Sequence, residues 1–179
     1  TSKMSVMRTT LLGGLVDTLS KNLKRKQARV RIFEAARVFL REAQGGYQQP
    51  EKIAGLIHGA VLAEQWGSKS RPVDFYDAKS DVEALLHPHQ ARYQAATDHP
   101  AFHPGRCASI SMDGVIVGYV GELHPSWVQQ YDLGTAPQLF ELDLSVLQNR
   151  VLPKAVELAK APAVRRDIAV IVDENVPAQ

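Results

Sequence analysis

The chain has 179 residues, 45% of them apolar and 22% charged, with a formal net charge of +2. That length is enough for one ordinary domain with a substantial core, and the composition excludes a disordered or fibrous polymer. The charge is far weaker than the concentrated basic stripe of a dedicated nucleic-acid reader, and the one cysteine, Cys107, rules out an internal disulfide.

Residues 1–7 lack the apolar core of a signal peptide, and no apolar run approaches the roughly 18 residues of a membrane span. The expectation is a cytoplasmic chain in a reducing compartment, with Cys107 a buried structural thiol beside Ala108 and Ile110. The chain starts without an initiator methionine and stops soon after an apparent strand, so it reads as part of a longer polypeptide.

Taken in chain order, Thr9 or Thr10 can cap a helix in which Leu11, Leu12, Leu15, Val16, Leu19 and Leu23 recur at helical spacing. Lys21, Lys24, Arg25 and Lys26 then fall where cations complement the helix dipole; a solvated helix end is the bland reading of this run and a phosphate-contacting patch the sharper one. Residues 29–40 change to strand period, with Val30, Ile32, Val38 and Leu40 alternating against Arg29, Arg31, Arg37 and Phe39. After Gly45 and Gly46, residues 53–62 form a second apolar strand containing Gly55 and Gly59, and the two are expected to pair antiparallel.

Residues 74–86 read as a helix capped by Asp74 and stopped by Pro88. Asp113-Gly114, between residues 107–112 and 115–120, is the strongest hairpin signal in the chain. Pro125 fits the first turn of a short helix to Tyr131, and residues 138–147 a strand or strand–helix junction. Pro153 and Pro162 bracket a linker, and residues 167–172 form an apolar strand. Strands joined by tight hairpins, with a few helices between, define an α+β fold on a mostly antiparallel sheet with flanking helices.

Several strings carry a family resemblance in their order and spacing. They are Met7-Arg8-Thr9-Thr10-Leu11-Leu12, Arg31-Ile32-Phe33-Glu34-Ala35-Ala36-Arg37-Val38-Phe39, Asp74-Phe75-Tyr76-Asp77-Ala78-Lys79 and His103-Pro104-Gly105-Arg106. Gly118-Tyr119-Val120-Gly121-Glu122-Leu123-His124-Pro125, Phe140-Glu141-Leu142-Asp143-Leu144 and Pro162-Ala163-Val164-Arg165-Arg166-Asp167 complete the set. Together they resemble the bacterial phenylalanyl-tRNA synthetase beta subunit, in its C-terminal portion.

The resemblance implies a class II aminoacyl-tRNA synthetase-like core over residues 1–152, incomplete at its start. Residues 153–179 are then a linker and the first strand of a truncated, ferredoxin-like anticodon-binding domain. It also implies an assembly of two alpha and two beta subunits that attaches phenylalanine to tRNA(Phe), with ATP and magnesium used by the alpha chain and no cofactor in this one.

Class II synthetases clamp ATP with an arginine on a strand–loop–strand motif and another in a glycine-rich third motif, because a guanidinium grips phosphate oxygens in a bidentate fork. Here Arg41 lies one residue beyond the first place, which turns it to the other face of a strand unless a bulge intervenes. Residues 140–147 hold neither the glycine nor the cation of the second. A catalytically silent scaffold is therefore expected, with no catalytic, cofactor or metal residues.

Two alternatives compete with it. The first is a working ATP site with Arg37, Arg41 and Arg106 as substitutes; the second is a metal site built from His87, His89, His99 and His103, which fall within seventeen residues but match no familiar zinc spacing. Asp74, Asp77, Asp81 and Glu83 read as ordinary helix-start carboxylates rather than a magnesium site. His124 beside Glu122 reads as a strand end and helix start. Arg165 and Arg166 are candidates for RNA phosphate contact or for anchoring the linker through Asp167.

Overall fold

The computed structural model describes residues 6–148 and 164–173. In chain order the elements are α1 (Leu12–Lys24), β1 (Val30–Arg37), β2 (Leu40–Arg41), β3 (Tyr47–Gln48), β4 (Glu51–His58), α2 (Phe75–Leu86), β5 (Arg92–Ala95), β6 (Phe102–Met112), β7 (Val115–Leu123), α3 (Pro125–Gln130), β8 (Gln138–Asp143) and α4 (Ser145–Gln148). Six strands form one sheet in the order β1-β4-β8-β7-β6-β5, every neighbouring pair antiparallel, while β2 and β3 make a separate small ribbon. The expected α+β class with a mostly antiparallel sheet and flanking helices is what the chain adopts.

Helices cover both faces. On one, α1 lays Leu12, Leu15, Val16 and Leu19 against Val30, Ala54, Leu56, Phe102, Cys107, Leu123 and Leu139. On the other, Ala78, Val82 and Leu86 of α2 meet Ile53, Ile57, Ile110, Val120, Phe140 and Leu142. Each fully buried Leu, Ile or Phe contributes about 1.5–3 kcal/mol of burial, so these two layers set the order of the sheet. The two-sided cover is also why β8 is buried along nearly its whole length instead of alternating.

The helix predictions hold with one change in chemistry. Asp74 caps α2 by accepting from the backbone N–H groups of Tyr76 and Asp77, and Asp77 answers by accepting from the Asp74 N–H, a complete capping box. At α1 the N-cap position is Leu11, not Thr9 or Thr10, and Leu11 has no capping side chain. The exposed donors are served from elsewhere: Thr10 Oγ1 accepts from Leu12 N at 3.2 Å, and Glu141 Oε1, from β8, accepts from Leu11 N at 2.8 Å.

The predicted run over 29–40 divides. Pairing with β4 ends at Arg37, because Val38 N turns to Pro50 O and Phe39 N to Arg8 O. The second predicted strand stops at His58 rather than 62, where Gly59 takes φ +87°. Gly55 sits under Phe140: a Cβ there would lie 2.4 Å from Phe140 Cε1, so the ring packs directly on bare backbone. Asp113 and Gly114 both take positive φ, 50° and 81°, the two-residue turn predicted for the β6–β7 hairpin.

The last predicted strand is not formed by the described residues. Residues 167–172 are not a strand; among the described residues they are irregular and unpaired, with Ile168, Val170, Ile171 and Val172 exposed. An apolar run becomes a strand only when a neighbour supplies the ladder of hydrogen bonds, and none does so among the described residues. The linker bracketed by Pro153 and Pro162, and with it the boundary at 152/153, lies outside the described residues. No helix of the described chain is long and apolar enough to cross a membrane.

Candidate functional site

A cleft of about 430 Å³ lies on the α1 face of the sheet. Leu12, Gly13 and Val16 of α1 form one wall, Trp127 and Tyr131 the opposite one, and residues 99–101 a third. The walls are apolar and aromatic, and the Trp127 indole N–H is already committed to Pro100 O at 3.1 Å.

The floor is a polar cluster that joins three separate segments. Glu141 accepts from the Thr10 hydroxyl (2.7 Å), from Leu11 N (2.8 Å) and from Lys52 Nζ (3.2 Å), and Lys52 also lies 3.7 Å from Asp143. The Glu141 side chain is only 9% exposed, so Lys52, the Thr10 hydroxyl and the helix N-terminus together replace its lost water. Lys52 is the one cation in the lining and faces two carboxylates. An added triphosphate would meet net negative charge, so these residues do not fit a nucleotide phosphate clamp.

The arginines considered for an alternative ATP site stand apart. Arg37, on the edge strand, donates from Nε to Glu51 Oε1 at 3.2 Å. Arg106, on β6, grips both oxygens of Glu122 at 3.0 Å. Four strand spacings separate β1 from β6, roughly 19 Å across the sheet. Arg41 is exposed on the small ribbon opposite Tyr47. No phosphate could be shared by the three.

The histidines are likewise dispersed into local roles. His99 packs its ring on Phe102 and Tyr119, accepts from Ala101 N, and is pushed down in pKa by burial. His103 Nδ1 accepts from Gly105 N, and His87 ends α2. His124 caps α3, its Nδ1 accepting from Ser126 N at 3.2 Å, while Glu122 goes to Arg106 and not to His124.

The helix-start carboxylates are also occupied: Asp77 is bonded by Arg71 at 2.8 Å, which holds its carboxyl below the ordinary range, Asp81 lies 3.6 Å from Arg31, and Glu83 pairs with Lys79. Among the described residues no group of three His, Cys, Asp or Glu side chains is placed to hold a metal ion. Cys107 is buried, and burial pushes its thiol up to about 11. Arg165 and Arg166 lie in the exposed irregular segment, with Arg165 Nε 3.9 Å from Asp167, a contact too exposed and too long to order either side chain.

Sequence reasoning missed Lys52 and Glu141. The available signal was a carboxylate inside the otherwise apolar run Leu139-Phe140-Glu141-Leu142, which reads as a solvent-facing alternation unless both sheet faces are known to be covered.

Fold and cleft together define a folded module with packed faces and internally satisfied charges. The chain belongs to a synthetase family: the model of the phenylalanyl tRNA synthetase beta chain CLM domain matches residues 1–144. Among its relatives is the phenylalanine–tRNA ligase beta subunit of Chromobacterium violaceum, 61% identical over 98% of this chain and 22% of the relative's length. The corresponding subunits of Nitrosospira multiformis and Burkholderia lata are 53% and 51% identical over 99% of the chain and 22% and 23% of theirs. The chain thus spans less than a quarter of the length of the curated relatives it matches.

Proposed function

We propose that this chain is a non-catalytic scaffold segment of the beta subunit of a phenylalanine–tRNA ligase, built on a class II synthetase-like core in the C-terminal portion of that subunit. On this reading residues 1–152 are the core and residues 153–179 lead into a ferredoxin-like anticodon-binding domain, through which Arg165 and Arg166 would reach tRNA(Phe). The alpha subunit performs the ATP- and magnesium-dependent attachment of phenylalanine to tRNA, in a cytoplasmic assembly of two alpha and two beta chains.

The observation that carries the reading is the fate of β8. A class II fold places its second phosphate-binding arginine beside the strand–loop–strand unit, which on this reading would correspond to β1 and β4, with β8 next to β4 in the sheet. On β8 the inward polar residue is Glu141, a carboxylate already used to cap α1 and neutralise Lys52. On this reading the sheet would keep the framework of such a site with its charge inverted, and a buried carboxylate in place of a cation supports a role in holding a partner rather than in phosphoryl chemistry.

The test is co-purification of this segment, extended at both ends to complete its domains, with the catalytic alpha subunit. Co-elution at a fixed stoichiometry is expected, together with no saturable ATP binding by the segment alone. Complete domains that fold and fail to associate, or that bind ATP stoichiometrically, would overturn the proposal.

A further inference from the structure

The α1–β1 turn and the loop over residues 62–70 leave the sheet at one corner and carry residues that nothing in the fold consumes. After Lys24 the chain turns sharply: Lys26 takes φ 62°, its N–H bonds to Leu23 O at 2.8 Å, and Gln27 N–H reaches Asn22 O. Lys24, Arg25 and Lys26 are thereby held outward, exposed, on a fixed turn. Lys24 lies within the last turn of α1, where a cation is accounted for by the helix dipole. Arg25 and Lys26 lie beyond it.

The second feature is Trp66, whose relative exposure is 102%. Tryptophan is highly buried on average, and the other one in this chain, Trp127, has its indole N–H bonded and most of its ring covered. The loop bearing Trp66 is anchored at its root. Val61 N bonds to Arg71 O, Ala60 bridges to Pro72, and Gln65 Nε2 donates to Ser68 Oγ within the loop.

Arg29 joins the two features. Its guanidinium donates to Ala60 O at 3.1 Å and Val61 O at 3.0 Å, fastening the residues after the basic turn to the start of the tryptophan loop. Gly59 lies so close that a Cβ there would stand 2.1 Å from Ala28 O. The basic turn and the root of the tryptophan loop are consequently fastened together at one corner of the sheet rather than standing on independent segments.

Their chemistry selects a partner. Lys24, Arg25, Lys26 and Lys69 oppose a single carboxylate, Glu64, and Trp66 is surrounded by Gln65, Gly67, Ser68 and Lys69. Lysine is depleted at protein–protein interfaces, and the loop sets a single large exposed aliphatic side chain, Leu62, beside its tryptophan, less than the apolar surround of an anchoring aromatic there. A free indole face beside several cations is instead the arrangement that holds unpaired nucleotides, the phosphates on the cations and a base stacked on the ring.

We propose that this corner is an RNA-binding surface: an unpaired segment of RNA lays its phosphates along Lys24, Arg25, Lys26 and Lys69 and stacks one base on Trp66. The surface rests on the reading of the chain as part of a tRNA ligase only in naming tRNA as the RNA concerned. It is separate from the Arg165 and Arg166 segment and from the cleft between α1 and α3.

The test is a fluorescence titration of the full 179-residue chain with oligouridylate of about 12 nucleotides, a length within the usual range of single-strand sites. Saturable quenching of tryptophan emission is expected, with log Kobs falling against log salt at a slope of roughly −2 to −3, the value for three or four neutralised phosphates on a single strand. Trp66→Ala should weaken binding at least about fivefold and abolish the quench while leaving the slope intact, and Trp66→Phe should recover much of the affinity. A chain with Lys24, Arg25 and Lys26 all changed to Ala should lose about 2 from the slope.

No binding to the oligonucleotide, or binding to which Trp66→Ala is indifferent, overturns the proposal. So does equal competition by polyglutamate, which would assign the corner to an acidic protein. Failure of the chain to co-elute with the alpha subunit bears on the scaffold reading and leaves this titration unaffected.

Discussion

Replacing Glu141 with alanine strikes the cluster that joins α1, β4 and β8. The carboxylate accepts three hydrogen bonds, from Leu11 N, the Thr10 hydroxyl and Lys52 Nζ, at 2.8, 2.7 and 3.2 Å. Bonds to a charged acceptor are each worth about 1.5–3 kcal/mol but share one group, so they do not add. Removing one member of a buried ion pair costs about 3–5 kcal/mol, mostly through the charge left behind. Lys52 retains Asp143 at 3.7 Å and is 23% exposed, which draws the expectation to the lower half of that range. Urea unfolding at neutral pH should show the midpoint reduced with the slope unchanged, and melting lowered by roughly 6–16 °C for a chain of this size. Glu141→Gln keeps an acceptor for Leu11 N but turns an amide donor toward Lys52, and should lie between wild type and Glu141→Ala. Changing Lys52 to Met in the Glu141→Ala background should return about 0.5–3 kcal/mol of coupling. A loss below about 1 kcal/mol for Glu141→Ala, with no coupling to Lys52, would refute the assignment of this carboxylate as the cap of α1 and partner of Lys52.

Gly55→Ala should destabilise by about 1–3 kcal/mol, since its Cβ collides with the Phe140 ring, and Phe140→Leu should relieve much of that cost in a double-mutant cycle measured by urea unfolding. Asp74→Ala removes the acceptor for two backbone N–H groups and should cost about 1 kcal/mol in the same assay. The Asp77 carboxyl is held below its ordinary pKa by the Arg71 hydrogen bond, so its contribution is full above about pH 4 and fades as pH falls through the folded-state value. The gap in urea midpoint between wild type and Asp77→Asn should accordingly be constant from neutral pH down to about 5 and narrow progressively as pH falls below about 4; a gap that does not narrow there would contradict it. Cys107, buried and raised to about 11, should react with a thiol reagent at pH 8 at least about 100-fold faster in urea than in the native chain, because only the thiolate attacks.

Much of the fold could be read along the chain wherever one periodicity ran without interruption. The leucine spacing of α1, the Asp74 cap of α2 and the Asp113-Gly114 turn are local signals, and each element formed where its signal lay. Strand β5 carried no such signal: Arg92-Tyr93-Gln94-Ala95 is polar and is a strand because β6 offers it an edge. The converse holds for residues 167–172, whose sequence favours a strand and which have no partner among the described residues. Charge pairing across the sheet was equally invisible, because Lys52 and Glu141 are 89 residues apart and meet only once β8 lies beside β4. Trp66 was legible as a residue but not as a surface, since only the Arg29 link shows that its loop and the basic turn share a corner.

The seat of β8 also dictates how the molecule must assemble. Its neighbours on either side, the β1–β4 pair and the β6–β7 hairpin, are close in sequence and can zip early, yet a two-stranded ribbon is at best marginally stable by itself. Until residues 138–143 emerge, the two halves share no strand pairing and the N-terminus of α1 lacks its carboxylate. Consolidation therefore waits for one late, long-range insertion, the kind of contact that slows folding through loop-closure entropy. A ribosome halted shortly before this strand would expose two apolar sheet edges at once, and a peptide spanning residues 138–148, supplied separately, would be the piece most able to restore a chain cut in the loop after α3.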